Sequence, residues 1–234
     1  MGRIKIVLWD IDGTLLNFHM AEKAAIRALF ARFGLGICTD EMLQRYSVIN
    51  AGYWKKLEKG EMSKPQILTA RFETFFREYG LDTGCVADFN AAYQLALGDT
   101  VCFYPGGLEA VKALKGIVKQ YAVTNGTLVA QQKKLAASGL DKLLDGVFIS
   151  DVIGIEKPNI GFFHAVWESI GAYDPSEVLI VGDSLTSDIK GGNNAGIKTC
   201  WFNPGHSPAP EDLRIDYDIA QLWEVPGICG CKMP

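Results

Sequence analysis

Apolar residues follow two different rhythms along this chain. Short, nearly unbroken runs occur at Ile4–Trp9, Tyr121–Thr124, Val147–Ser150, Val178–Val181 and Lys198–Phe202. Runs this short, rich in β-branched and aromatic side chains, predict strands buried on both faces. Between the later runs the spacing becomes helical. Leu108–Val118 follows Pro105-Gly106-Gly107, and Leu128–Ala137 stops before Ser138-Gly139. Phe162–Ile170 stops at Gly171 and Ser187–Ala195 at Gly196. Glycine just past a helix accepts the left-handed conformation that ends it. Strands alternating with helices of this length predict βαβ units and a parallel sheet covered on both faces.

The stretch from residue 18 to residue 97 has helical spacing almost throughout. It predicts helices at Met20–Phe33, Asp40–Leu57, Pro65–Tyr79 and Val86–Leu97, the third opened by Ser63 ahead of Pro65, since proline is tolerated in a first turn. The expected fold class is therefore α/β: a Rossmann-like parallel-sheet core of residues 1–17 and 98–234 with an inserted helical cap, residues 18–97. Crossings near 15–18 and 98–103 are the expected hinge. The tail Pro226–Pro234, broken by glycines, is expected to be loosely ordered.

Composition narrows the function classes. With 234 residues, 48% of them apolar and 21% charged, the chain has ample core and is not disordered. A net charge of −4 argues against polymeric nucleic acid, which needs clustered Lys and Arg. No apolar run reaches the roughly 18 residues of a membrane span. The first apolar run is too short for a signal-peptide core and is followed at once by Asp10 and Asp12. The six cysteines are scattered and lack zinc-site spacing. A cytoplasmic protein with reduced thiols, monomeric or dimeric, is expected, with a small phosphorylated metabolite as partner and no membrane.

The candidate chemistry sits where the strands end. In open α/β sheets ligands bind beyond the carboxyl ends of the strands. The first strand ends in Asp10-Ile11-Asp12-Gly13-Thr14 and the second in Thr124-Asn125-Gly126. Glu156-Lys157-Pro158 follows the third, and Gly182-Asp183-Ser184, with Asp188 shortly after, follows the fourth. Carboxylates converging on one edge repel each other, and a divalent cation removes the conflict. Oxygen-only ligation with few fixed carboxylates suits Mg²⁺. One aspartate can attack phosphorus as a nucleophile while a carboxyl two residues on exchanges a proton with the leaving oxygen. A lysine, a threonine hydroxyl and free amides suit phosphoryl oxygens. His19, His164 and His206 are isolated from this set.

Asp10-x-Asp12-Gly13-Thr14, Thr124-Asn125-Gly126, Lys157-Pro158 and Gly182-Asp183-Ser184-x-x-x-Asp188 together resemble the four ordered motifs of the haloacid dehalogenase (HAD) superfamily. The resemblance spans nearly the whole chain, with the helical insertion at the class C1 cap position. It implies Asp10 as nucleophile and metal ligand. It implies Asp12 as general acid/base, lending a backbone carbonyl to Mg²⁺. Thr124, the Asn125 amide and Gly126 are implied to hold the phosphate, and Lys157 to neutralise nucleophile and phosphate. Asp183 and Asp188 are implied to complete the metal site. The dehalogenases of the superfamily resemble this motif without a carboxylate at the Asp12 position, because a halide needs no proton on leaving. Phosphoryl chemistry is expected instead.

A narrower resemblance lies in Val48-Ile49-Asn50-x-x-Tyr53-Trp54, Gly60-Glu61-Met62-Ser63, Arg71-Phe72-Glu73 and the segment from Ile189 to Trp201. These are similar to noncanonical pyrimidine 5′-nucleotidases of the superfamily. That implies nucleoside monophosphates as substrates and makes Asn50, Trp54 and Arg71 candidate substrate contacts. The same core would serve a sugar-phosphate phosphatase or a phosphomutase. A phospho-acceptor signalling domain would also combine an acidic pocket, Mg²⁺, threonine and lysine.

Overall fold

The computed structural model describes residues 3–171 and 173–231. The chain forms two compact units, one running to Asn17 and resuming at Cys102, the other spanning Phe18–Val101. Gly98–Val101 thus falls with the helices.

The first unit is a six-stranded sheet in the order β3-β2-β1-β4-β5-β6, with every neighbouring pair parallel. The strands are β1 (Ile6–Trp9), β2 (Lys119–Thr124), β3 (Gly146–Ile149), β4 (Val178–Gly182), β5 (Lys198–Phe202) and β6 (Tyr217–Ile219). The central strands are almost wholly buried, as their apolar runs require: β4 throughout, and β1 from Val7 to Trp9. Leu8, Val123, Val178 and Ile180 pack on one face against Phe162, Phe163 and Val166. A buried polar pair is satisfied internally. Trp9 Nε1 donates to Gln120 Oε1 at 3.0 Å, and Gln120 Nε2 donates to the Val111 carbonyl at 3.0 Å.

The second unit contains α1 (Phe18–Phe33), α2 (Asp40–Glu58), α3 (Lys64–Glu78) and α4 (Val86–Ala96). Thr39 caps α2 by accepting from the Met42 N–H, and Ser63 with Gln66 forms a capping box at α3, satisfying amides a helix start leaves unpaired. Its interior is aromatic. Tyr46 stacks on Phe72 at 5.0 Å, and Phe30, Phe75, Phe76, Phe89 and Tyr93 pack around them.

The remaining helices belong to the first unit: α5 (Gly107–Leu114), α6 (Leu128–Ser138), α7 (Leu140–Leu143), α8 (Ser150–Ile153), α9 (Ile160–Ile170), α10 (Lys190–Asn194) and α11 (Val225–Ile228). Three expectations need correction. The helix expected to reach Val118 ends at Leu114, where the chain turns through Gly116 at φ 78°. The helix expected over Ser187–Ala195 begins as a π-helical turn, Leu185–Ile189, because the Asp188 and Ile189 amides both bond the Ser184 carbonyl. The tail is not loose as far as Cys231: Val225, Pro226 and Cys229 are buried. The rest of it, residues 232–234, lies outside the described residues. Strand β6 was not foreseen; three residues are too few to show a period. The six cysteines are free thiols. Among the described residues no helix is long and apolar enough to cross a membrane.

Candidate active site

The strand order changes direction between β1 and β4, and a crevice forms where neighbouring strands send their connections opposite ways. Asp10 follows β1 and Asp183 follows β4, so adjacent strands set two carboxylates side by side. The π-helical turn adds Asp188. One carboxylate oxygen from each of Asp10, Asp183 and Asp188 lies within 4.8 Å of the others. Two glycines make the approach possible. Gly13 has φ 100°, open to glycine, and a Cβ there would lie 2.6 Å from both Asp183 carboxylate oxygens. A Cβ on Gly182 would lie 2.2 Å from Asp188 Cγ.

Lys157 is buried and donates three hydrogen bonds. They reach Asp10 Oδ1 at 2.8 Å, Asp188 Oδ1 at 2.6 Å and the Val123 carbonyl at 2.7 Å. Asp188 Oδ2 accepts from the Ser184 N–H at 3.1 Å, so protein donors engage both its oxygens. Thr14 Oγ1 donates to Asp183 Oδ1 and accepts from the Asp183 N–H, both at 2.9 Å. Trp201 Nε1 fixes the Asp183 carbonyl at 2.9 Å.

The electrostatics follow from burial and crowding. Burial pushes the Asp10 carboxyl well above its ordinary range, against the pull of Lys157 and with the help of Asp188 and Asp183. Burial likewise pushes Asp183 up to about 7, with Asp188 adding to the rise and Thr14 opposing it. Burial alone would lower Lys157, but Asp10 and Asp188 outweigh it and hold the ammonium above the ordinary lysine range. Three carboxylates against one ammonium leave a surplus of negative charge that a divalent cation would neutralise. The donors are all oxygens, which suits a hard cation.

The second strand end stands on the same sheet edge. Thr124 is buried, and its Oγ1 accepts from the Gly126 N–H at 3.0 Å. The Asn125 side chain is committed to the Lys157 backbone: Nδ2 donates to its carbonyl and Oδ1 accepts from its N–H, both at 2.9 Å. Any phosphate contact from Asn125 therefore rests on its backbone N–H. Asp12 is separate from the three-carboxylate group. Its Oδ1 accepts from Lys134 Nζ at 2.6 Å and its Oδ2 from Gln131 Nε2 at 2.5 Å. A metal contact from Asp12 would have to come from its backbone carbonyl.

The three substrate candidates of the helical unit have other surroundings. Arg71 and Asn50 are buried and bonded to each other, Arg71 donating to Asn50 Oδ1 at 2.8 Å. Arg71 also donates to Asn90 Oδ1 at 3.1 Å, and Asn50 donates to Glu22 Oε1 at 2.7 Å. The Arg71 guanidinium lies over the Phe72 and Tyr93 rings at 4.9 and 5.1 Å. Asn50 and Arg71, expected as substrate contacts, thus direct these polar atoms to one another, to Glu22 and to Asn90 inside the helical unit. Trp54 is half-buried on α2.

Sequence reasoning passed over Thr14, Gln131 and Lys134. Thr14 was visible in the Asp-x-Asp-Gly-Thr motif but was given no task. Gln131 and Lys134 sit three residues apart on an ordinary amphipathic helix, and nothing in their spacing points across 119 residues to Asp12.

A model of the haloacid dehalogenase-like hydrolase family matches residues 4–196. The chain belongs to this family. It is 35% identical to the pyrimidine 5′-nucleotidase PynA of Streptococcus pneumoniae, over 92% of this chain and 90% of that one. It is 31% identical to the pyrimidine 5′-nucleotidase YjjG of Escherichia coli, over 94% and 95%. The crystal structure of the HAD-hydrolase YfnB of Bacillus subtilis, determined bound to magnesium, superposes with a TM-score of 0.92 at 34% identity, covering 97% of this chain and 99% of that one.

Proposed function

We propose that this chain is a Mg²⁺-dependent phosphomonoesterase that hydrolyses pyrimidine nucleoside 5′-monophosphates through an aspartyl-phosphate on Asp10. The observation that carries the reading is the convergence of the Asp10, Asp183 and Asp188 carboxylates, with Asp10 and Asp188 both bonded to the Lys157 ammonium. The pyrimidine preference is supported by the two nucleotidase relatives, which match over nine-tenths of the chain.

Asp10, Asp183 and, through its remaining lone pairs, Asp188 would hold the cation, with the Asp12 carbonyl as a further ligand. Bound Mg²⁺ would offset charge on the phosphoryl oxygens and on the carboxylates. Asp10 attacks phosphorus; the new Oδ–P bond forms as the ester P–O bond breaks. Asp12 gives its proton to the departing nucleoside oxygen. In the second half, water attacks phosphorus, Asp12 takes a proton from it, and the Oδ–P bond breaks to return Asp10 and free phosphate. Lys157 steers Asp10 and balances its charge. Thr124, with the Asn125 and Gly126 amides, would receive the phosphoryl oxygens.

The test is phosphate release across pyrimidine and purine monophosphates and sugar phosphates, with Mg²⁺ or with EDTA. Pyrimidine monophosphates should be hydrolysed fastest, and EDTA or Asp10→Asn should abolish release. A sugar-phosphate preference would retain the mechanism and overturn the substrate. Interconversion of phosphate isomers without release would show a mutase. A long-lived phosphoprotein without turnover would show a phospho-acceptor.

A further inference from the structure

The surroundings of Asp12 are built, not incidental. Lys134 is 97% buried at its side chain, and Gln131 is fully buried. Both lie on α6, three residues apart and so on one face of the helix. Each takes one oxygen of the Asp12 carboxylate, Lys134 at 2.6 Å and Gln131 at 2.5 Å. Burying an ammonium and an amide is costly, and apolar side chains of equal volume would serve packing as well or better.

Gly126 carries the same signature. Its φ is not positive, so no turn demands glycine there. A Cβ at Gly126 would instead lie 2.1 Å from Gln131 Nε2. The glycine is the space into which the amide fits. The other end of that amide, Gln131 Oε1, is buried with no hydrogen-bond partner among the described residues. Leaving such an acceptor unpaired carries a desolvation cost that nothing at that oxygen offsets. The Gln131 orientation is therefore set by its Asp12 bond at the expense of its own carbonyl.

We propose that Lys134 and Gln131 are positioning residues for Asp12, together fixing the direction in which its carboxyl group faces the leaving oxygen and, later, the attacking water. The inference rests on the phosphomonoesterase reading, in which Asp12 exchanges the proton. The pair acts through Asp12, to which each residue donates one hydrogen bond. A loss of aim at Asp12 therefore weakens both proton transfers while leaving the nucleophile and its cation site in place.

The experiment compares Lys134→Met and Gln131→Met with the unmodified chain on two esters. One has an alkyl leaving group that needs a proton, a nucleoside monophosphate. The other, 4-nitrophenyl phosphate, has one that leaves without. Positioned acid–base catalysis is worth about 10²–10⁴-fold, so kcat on the alkyl ester should fall at least about 10-fold with KM changed less than about 3-fold. On 4-nitrophenyl phosphate the first turnover should stay within about 3-fold of the parent. Steady-state turnover should then slow, giving a burst near one equivalent of nitrophenolate and a trapped phosphoprotein, because attack by water still needs Asp12. Gln131→Met should act in the same direction with a smaller fall. Mg²⁺ should raise the Tm of both variants and of the parent alike, showing an intact core. Equal losses on both esters without a burst, or no loss in either folded variant, would overturn the proposal. If the unmodified chain showed no Asp10-dependent release at all, the phosphomonoesterase reading would fall instead.

Discussion

The three-carboxylate group makes stability depend on pH in an unusual direction, and Mg²⁺ should reverse it. The perturbation is a pH series with and without the cation. Asp183 moves from an ordinary 3.8 to about 7 on folding. At about 1.4 kcal/mol per tenfold that is roughly 4 kcal/mol, and the partial water access of Asp183 brings it nearer 2. A carboxyl raised on folding favours the folded state in acid, and that advantage is lost as pH climbs from about 4 to about 7. Asp10 is shifted in the same direction. The metal-free protein should therefore lose about 2 kcal/mol across this window, a fall in Tm of roughly 4–8 °C for a chain of this size. Mg²⁺ at about 100 times its Kd adds about 2.7 kcal/mol at pH 8. At pH 5.5 a proton on a group titrating near 7 competes about 30-fold, leaving roughly 0.8 kcal/mol at the same Mg²⁺ concentration. Differential scanning calorimetry should show a Mg²⁺ gain of about 5–11 °C at pH 8 and about 2–3 °C at pH 5.5. Asp183→Asn should raise the metal-free Tm at pH 8 and remove most of the Mg²⁺ gain. An equal Mg²⁺ gain at both pH values, or a metal-free Tm that rises from pH 4 to 7, would refute the reasoning.

Three further outcomes are expected. Lys157→Met strands two buried carboxylates and the Val123 carbonyl, so urea unfolding in EDTA should show a loss of about 3–5 kcal/mol; an unchanged midpoint would contradict the assigned charge balance. Gly182→Ala sets a methyl group 2.2 Å from Asp188 Cγ, which Lys157 and Ser184 hold in place. It should lower stability by about 1–3 kcal/mol and weaken Mg²⁺ binding measured by titration calorimetry. Arg71→Met leaves the buried Asn50 carbonyl without its donor inside the helical unit, while Asn90 keeps the Gln94 amide. It should destabilise that unit by about 2–5 kcal/mol, read by hydrogen exchange on α2 to α4, whereas a pure rise in KM would restore Arg71 as a substrate contact.

Much of this was legible in the chain itself. The runs at β1, β2, β4 and β5 are dense enough in apolar side chains to mark buried strands without knowledge of their partners. Helix α3 announces its own start through Ser63 ahead of Pro65, because capping is settled within one turn. The motif residues Asp10, Asp12, Thr124, Lys157, Asp183 and Asp188 could be collected on one edge from sequence order, since a parallel sheet puts every strand's carboxyl end on the same side. The tertiary structure decided the rest. Arg71 and Asn50 have the composition of a ligand site, but only packing shows that they satisfy each other inside an aromatic core. Gly126 reads as a turn residue until the Gln131 amide is seen in the space its missing Cβ leaves. Lys134 looks like any helix-surface lysine until the fold brings it to Asp12, 122 residues away. Local signals are carried by bonds that close within a few residues. A buried charge pair or a close approach is set by chain segments distant in sequence, and its partner can be named only once the fold has brought them together.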